Sequence, residues 1–239
     1  MKDVTAFIFG FNHYSTEIVD NIIHEYRNVH IYSLDTEDVD NEKYQISSFD
    51  LSDEWGEING LMDASNPIAF CILEDDAQNI FLTISLRACF ESLVIVSLAK
   101  NKESSNKLEM AGANKVIPIV QNTADIISSM LLKPIATKVL HSILYEESKL
   151  KIAQIYVENA EIFGDKVPAD IDWNHYKGVV VLSVMHDDMV REFIYSSQTR
   201  HRPLNNGDIL VVTGYDEDIQ AFEKLIGRRK YVNWSNWSR

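Results

Sequence analysis

Basic residues are scarce in this chain: 22 lysines and arginines stand against 36 aspartates and glutamates, a formal net charge of −14 over 239 residues. That balance excludes non-specific binding to nucleic acid, which depends on neutralising phosphates with Lys and Arg, and docking on an anionic membrane face. Cysteine is rarer still. Cys71 and Cys89 are the only two, and each lies in an apolar stretch, so both are expected to be buried, reduced thiols of a cytosolic protein. No run of about 18 apolar residues occurs, so no membrane-spanning helix is expected. The opening MKDVTAFIFG carries an acid and runs directly into a strand-like segment, unlike a signal peptide.

Catalytic signatures are missing as well. The seven histidines (His13, His24, His30, His141, His175, His186 and His201) show neither H-x-H nor H-x-x-x-H metal spacing. There is no Gly-x-Ser-x-Gly elbow and no Walker loop. The segment MHDD around His186 reads as a hairpin turn between two strands. No acid–base pair stands out, which favours a binding module over an enzyme.

Glycine is also sparse, nine in all, and it is missing where a dinucleotide fold needs it most. Ala6–Phe9 reads as a buried strand and Gly10 as the tight strand-to-helix turn after it. A dinucleotide fingerprint then places glycines at positions 12 and 15, where this chain has Asn12 and Ser15. Asn12 crowds the space a pyrophosphate would use, while the helix N-terminus formed by Asn12 to Thr16 still offers backbone N–H groups to a phosphate. Asn12 and Ser15 can equally cap that helix. The ribose-binding acid expected after the second strand falls near Ser33, with Asp35 two residues on; Asp35 also suits a turn. Glu74, Asp75 and Asp76 lie where a strand end meets the next helix, the crevice used by such sheets, and are candidate cation ligands; helix capping explains them as well.

What is present is an alternation of strands and helices. Strands are expected at Ala6–Phe9, 29–34, 67–73, 93–99 and around NKVIPI, with helices at 16–26, 77–89 and 104–110 and a stop at Gly112. Such pairing implies α/β architecture, a Rossmann-like doubly wound parallel sheet. The following stretch, TADIISSMLLKPIATKVLHSILY, is nearly charge-free, and Pro134 should divide it into two helices. Helices apolar on several faces must be covered, which predicts at least a homodimer. After a polar stretch from 146, GVVVLSVM, MVREFIYSS and GDILVVTGY read as strands closed by a helix from 218 to 226, a small α+β subdomain. The organisation expected is thus 1–123 Rossmann-like, 124–150 dimerising crossover helices, 151–230 C-terminal subdomain and 231–239 a tail with two tryptophans.

The motifs together resemble the RCK family, the regulators of K+ conductance, in its TrkA-N plus TrkA-C arrangement. FIFGFNHYS is similar to the family's first strand and turn. FDLSDEW resembles its Gly-Asp-Ala-Thr-Asp segment, with Asp50 in the Asp position, and LEDDAQNIFLTISLRA its Asp-Asp-x-x-Asn helix. NKLEMAGANKVIPI is similar to Leu-x-x-Ala-Gly-Ala-x-x-Val-Ile-x-Pro, LYEES follows the crossover helix as in channel-attached members, and LNNGDILVVTGYDEDIQAFEKL resembles the C-terminal subdomain's last strand and helix.

The resemblance implies a cytoplasmic gating domain at the inner face of the membrane. It would control a potassium channel or transporter pore encoded separately or upstream, through a homodimer assembled into a tetramer or an octameric ring. Ligands across the family include adenine nucleotides, NAD(H) and divalent cations. Leu98 and Lys100 stand where the calcium-gated pattern carries two glutamates, and Lys100 matches the basic residue of nucleotide-binding members. The expected nucleotide site comprises Gly10, Phe11, Asn12, His13, Ser15, Asp35, Asp50, Glu74 and Lys100. The expected ligand is an adenine nucleotide (ATP, ADP or AMP), then NAD(H) or a divalent cation. The alternative is an NAD(P)-dependent Rossmann-type oxidoreductase, which would need a proton donor beside the nicotinamide.

Overall fold

The structure is a computed structural model that describes residues 2–229 except 25, 53–54, 63–66, 146–148, 187, 189 and 196–201. The tail tryptophans, Asp187 of MHDD and most of LYEES lie outside the described residues. The chain divides into two compact units at Ser128/Ser129.

The first unit begins with β1 (Lys2–Phe9), a strand whose last four residues are wholly buried. An uninterrupted apolar run suits this position, because a central strand of a parallel sheet is covered on both faces. β1 lies between β2 (Tyr26–Ser33) and β4 (Pro67–Cys71). With β3 (Ile46–Ser48), β5 (Val94–Ala99) and β6 (Lys115–Pro118) the sheet runs β3-β2-β1-β4-β5-β6, parallel throughout. The chain builds one half outward from β1 and the other outward from β4, so the switch point falls between these two strands. Helices α1 (His13–Ile22), α2 (Gly56–Met62), α3 (Asp76–Cys89) and α4 (Lys102–Met110) complete the winding.

The boundaries differ from expectation for local reasons. α1 starts at His13 rather than 16, because Asn12 is its cap, and it ends at Ile22, so Ile23 is half exposed. α2 has glycines at 56 and 60 and no helical apolar period, and nothing in the sequence announces it. Cys71 is buried as expected, but Cys89, expected to be buried, is exposed: it falls on the outer side of the last turn of α3, where Leu82 and Leu86 take the core. Gly112 does end α4. Its φ is +100°, and a Cβ there would lie 2.8 Å from Arg87 Cγ. Arg87 donates to the Gly112 carbonyl at 2.9 and 3.1 Å and to Asn114 Oδ1 at 2.6 Å. The LRA and AGAN motifs are thus two halves of one clasp.

Pro134 breaks the apolar stretch as expected, giving α5 (Ile119–Leu132) and α6 (Pro134–Tyr145). No residue of α5 is buried within the chain, although the helix is rich in Ile, Leu and Met.

In the second unit, β7 (Leu150–Val157), β8 (Val179–Met185), β9 (Arg191–Phe193), β10 (Ile209–Tyr215) and β11 (Gly227–Arg229) form an antiparallel sheet ordered β11-β7-β10-β8-β9. Helix α7 (Asp216–Ile226) buries Ile219, Phe222 and Ile226 against it. The spacing i, i+3, i+7 is one helical face. β7 lies in the stretch that reads as polar. Its exposed Lys151 and Gln154 mask an alternation that buries Ile155 and Val157.

Candidate functional site

Gly10 shapes the crevice at the switch point. Its φ is +111°, and a Cβ would stand 2.6 Å from the carbonyl oxygen of Ile72, so no other residue permits β1 to turn this close to the end of β4. A cavity of about 240 Å³ opens beside this turn. Its walls are Asn12, His13 and Tyr14 of the α1 N-terminus, Ile72, Leu73, Glu74 and Asp76 between β4 and α3, Leu98 and Lys100 at the end of β5, and Ile119.

The residues that read as a degraded phosphate loop close on themselves. Asn12 Oδ1 accepts from Tyr14 N at 2.9 Å and Ser15 N at 3.2 Å. Ser15 Oγ accepts from Asn12 N at 2.7 Å and donates to Asn12 O at 2.8 Å. Asn12 Nδ2 donates across the switch point to Ile72 O at 2.6 Å. The amides that a dinucleotide fold leaves for pyrophosphate are therefore satisfied by the chain's own side chains. Ser15 is fully buried and supports the cap instead of facing ligand.

The carboxylates divide into two groups. Glu74 is exposed on the cavity wall, and Asp76 lines it while accepting from Ser104 Oγ. Asp75 caps α3, accepting from Gln78 N at 2.9 Å, and does not line the cavity. Asp35 caps the 3-10 turn Thr36–Asp40 through Glu37 N at 2.9 Å. Asp50 accepts from Ser52 N and Oγ at 2.8 and 2.7 Å, and these bonds hold its carboxyl below the usual range. Neither Asp35 nor Asp50 is a cavity wall; nor is Phe11, whose ring meets Tyr44 edge-on at 6.0 Å. Among the described residues no three ligating side chains converge as a metal site. Of the expected nucleotide residues, Asn12, His13, Glu74 and Lys100 are brought together around the cavity.

One positioning residue goes unread in the sequence argument. Asn79, 1% exposed, accepts from Leu73 N and donates to Leu73 O, both at 2.9 Å, and reaches Leu98 O at 3.4 Å. It ties the end of β4 to the end of β5, the two strand ends that carry Glu74 and Lys100 to the wall of one cavity. The signal was in view: Asn79 is the Asn of the Asp-Asp-x-x-Asn helix. Behind it, burial pushes the Cys71 thiol up to about 12, against hydrogen bonds from Thr83 and Ser97.

A doubly wound parallel sheet with a small crevice at its switch point defines a Rossmann-like binding domain. Residues 6–119, just under half of the chain, match the TrkA-N domain family, which bears out the RCK resemblance over that segment. Potassium channel protein 1 of Methanocaldococcus jannaschii is 23% identical over 156 residues, covering 65% of this chain and 45% of that protein. Probable potassium channel protein 2 of the same organism is 24% identical over 164 residues, covering 66% and 46%. The chain thus spans about half the length of the curated relatives it matches. The human SLO3 gating ring is similar in fold, with TM-score 0.65 and 13% identity over 91% of this chain and 45% of that one.

Proposed function

We propose that this chain is the ligand-sensing regulatory domain of a potassium channel or potassium transporter, working at the cytoplasmic face of the membrane. The observation that carries the reading is the crevice: a TrkA-N domain keeps a shaped cavity at its switch point with one cationic side chain, Lys100, on its wall. The relatives named as potassium channel proteins supply the class of partner.

The ligand that best fits is a single adenine nucleotide. A cavity of about 240 Å³ lies below the range of about 300–1,000 Å³ that accommodates drug-sized ligands, and a dinucleotide exceeds it. Asn12 reinforces that limit, since its latch to Ile72 O would have to open before a pyrophosphate could sit against the turn. Tyr14, Leu98 and Ile119 supply apolar and aromatic wall for a base. Lys100 and the positive end of α1 supply the field for phosphate, while Glu74 opposes a high negative charge unless a cation accompanies it. Modest affinity follows, with NADH and divalent cations ranked after the mononucleotides.

Ligand acts by shifting the population of two arrangements of an assembled ring, and only to the extent that it binds one of them better. A hundredfold preference is worth about 2.7 kcal/mol, enough to take a 1:9 equilibrium to about 9:1. Assembly into a dimer, and from there a ring, rests on the uncovered apolar residues of α5 and α6. Thermal-shift titration with ATP, ADP, AMP, NAD, NADH and Ca2+ tests the ligand reading, because a ligand that prefers the folded state raises the melting temperature. Stabilisation by a mononucleotide that is lost in Lys100→Ala is expected. Stabilisation by NADH alone, indifferent to Lys100→Ala, would overturn the mononucleotide assignment.

A further inference from the structure

β6 passes into α5 without a loop: the strand ends at Pro118 and the helix begins at Ile119. Ala99 of β5 pairs with Pro118, so Lys100 and Ile119 leave the sheet on neighbouring strands, and both line the nucleotide cavity. Ile119 is half-buried, whereas every later residue of α5 is exposed. The helix that carries part of the apolar dimer surface therefore meets the crevice through its first residue.

That residue lies on the same helical face as apolar side chains a partner would cover. At about 100° per residue, Ile126 and Met130 fall within about 20° of Ile119 around the helix axis. They are 50% and 44% exposed. One turn beyond Ile119, Thr123 Oγ1 donates to the Ile119 carbonyl at 2.8 Å, so Ile119 moves with the first turn of the helix. No buried residue farther along α5 fixes its direction within the chain. Two groups can fix it: a ligand in the crevice that packs on Ile119, and a second protomer that covers Ile126 and Met130.

We infer that Ile119 couples the crevice to the dimer, so that nucleotide binding and dimerisation strengthen each other through α5. The inference rests on the mononucleotide reading and on the dimer, and it adds the residue that links them. A base seated against Ile119 restricts the first turn of α5, and so meets part of the ordering cost that dimerisation otherwise bears alone. The partner then closes on a helix already held, and each event favours the other without new contacts between ligand and partner. The coupling is reciprocal. Whatever factor separates the ADP affinities of dimer and monomer must reappear in the dimer dissociation constant. Each protomer brings one crevice, so the factor enters twice. A preference of about fivefold per site, at the low end of usual couplings, makes the dimer about 25-fold tighter at saturating ADP.

Calorimetric titration of ADP into the wild-type dimer and into the Leu132→Asp monomer tests the link. ADP should bind the dimer about fivefold more tightly, and sedimentation equilibrium of the wild type should show the dimer dissociation constant falling about 25-fold at saturating ADP. Ile119→Ala, made in both proteins, should bring the two ADP affinities together while Lys100 still retains the nucleotide. Leu98→Ala, which trims a cavity wall that is not on α5, should weaken ADP in both proteins and preserve their ratio. Hydrogen exchange reads the helix itself: ADP should slow the amides of residues 123–127 in the Leu132→Asp monomer and leave them unchanged once Ile119→Ala is added. Equal ADP affinities in dimer and monomer would overturn the coupling and leave the mononucleotide reading standing. An affinity ratio that survives Ile119→Ala would overturn the role of Ile119. No ADP binding to either protein would overturn the coupling and the mononucleotide reading together.

Discussion

Placing one aspartate at position 132 should take the protein apart into monomers. Around Pro134, the end of α5 and the start of α6 carry Met130, Leu131, Leu132, Ile135, Val139 and Leu140, which are 44–81% exposed within the chain. Covering the exposed remainder of each is worth about 1–2 kcal/mol, or about 6–12 kcal/mol per protomer for the six. A twofold contact doubles that sum and sets it against about 4–15 kcal/mol for lost translational and rotational freedom, leaving a dimer stable at micromolar concentration. Leu132 is 80% exposed, so Leu132→Asp forfeits about 2 kcal/mol of burial per protomer and adds a carboxylate to an apolar contact. Counted twice by symmetry, the loss is at least about 4 kcal/mol, roughly a thousandfold in Kd. Sedimentation velocity at micromolar protein reads the outcome, with circular dichroism confirming that the variant keeps its fold. A wild-type protein that sediments as a monomer, or a Leu132→Asp variant that dimerises as tightly as wild type, would refute the reasoning.

Other perturbations separate the fold from the crevice. Gly10→Ala places a Cβ against Ile72 O at a residue whose φ is +111°, and urea denaturation should show a loss of about 2 kcal/mol or more. Asn79→Ala strands Leu73 N and O in the interior; it should destabilise by about 2–4 kcal/mol and blunt any nucleotide-induced shift. Lys100→Ala, at an exposed position, should leave the melting temperature of the free protein within a degree or two while abolishing the nucleotide response. Maleimide at pH 7–8 should label one thiol in the native protein and two after denaturation, because Cys89 is exposed and the Cys71 thiol, pushed up to about 12, stays protonated and buried. Labelling of both in the native state would contradict the packing of β4.

The fold was legible where one signal dominated. Ala6–Phe9 followed by Gly10 is a buried strand and a tight turn under any reading, and Pro134 interrupts the apolar stretch by opening a new helix, the first turn being where a proline fits. β7 was hidden because an edge-proximal strand with an exposed lysine and glutamine, one on each face, averages to polar, and α2 because its two glycines erase the period. The crevice was half legible. Residue types placed Glu74 and Lys100 at strand ends, where topology gathers them, yet Asp35 and Asp50 turned inward to their own turns, since a short acid caps its nearest free amide before it waits for a ligand. Asn12 and Ser15 carried both meanings in the sequence, phosphate contact or helix cap, and only their reciprocal bonds separate the two. His186 reads correctly as part of a hairpin turn, but its burial does not: Glu192 and Asp208 lie 6 and 22 residues away, and only the closure of β8, β9 and β10 into one sheet brings the three together.

The most direct measurement is potassium flux through liposomes carrying the pore together with this domain, recorded with and without the nucleotide that raises its melting temperature. A ligand-sensing gating domain predicts a flux that changes with nucleotide in the wild type and stays constant in Lys100→Ala. Flux that is equal with and without nucleotide in the wild type, at concentrations that saturate the thermal shift, would contradict the account.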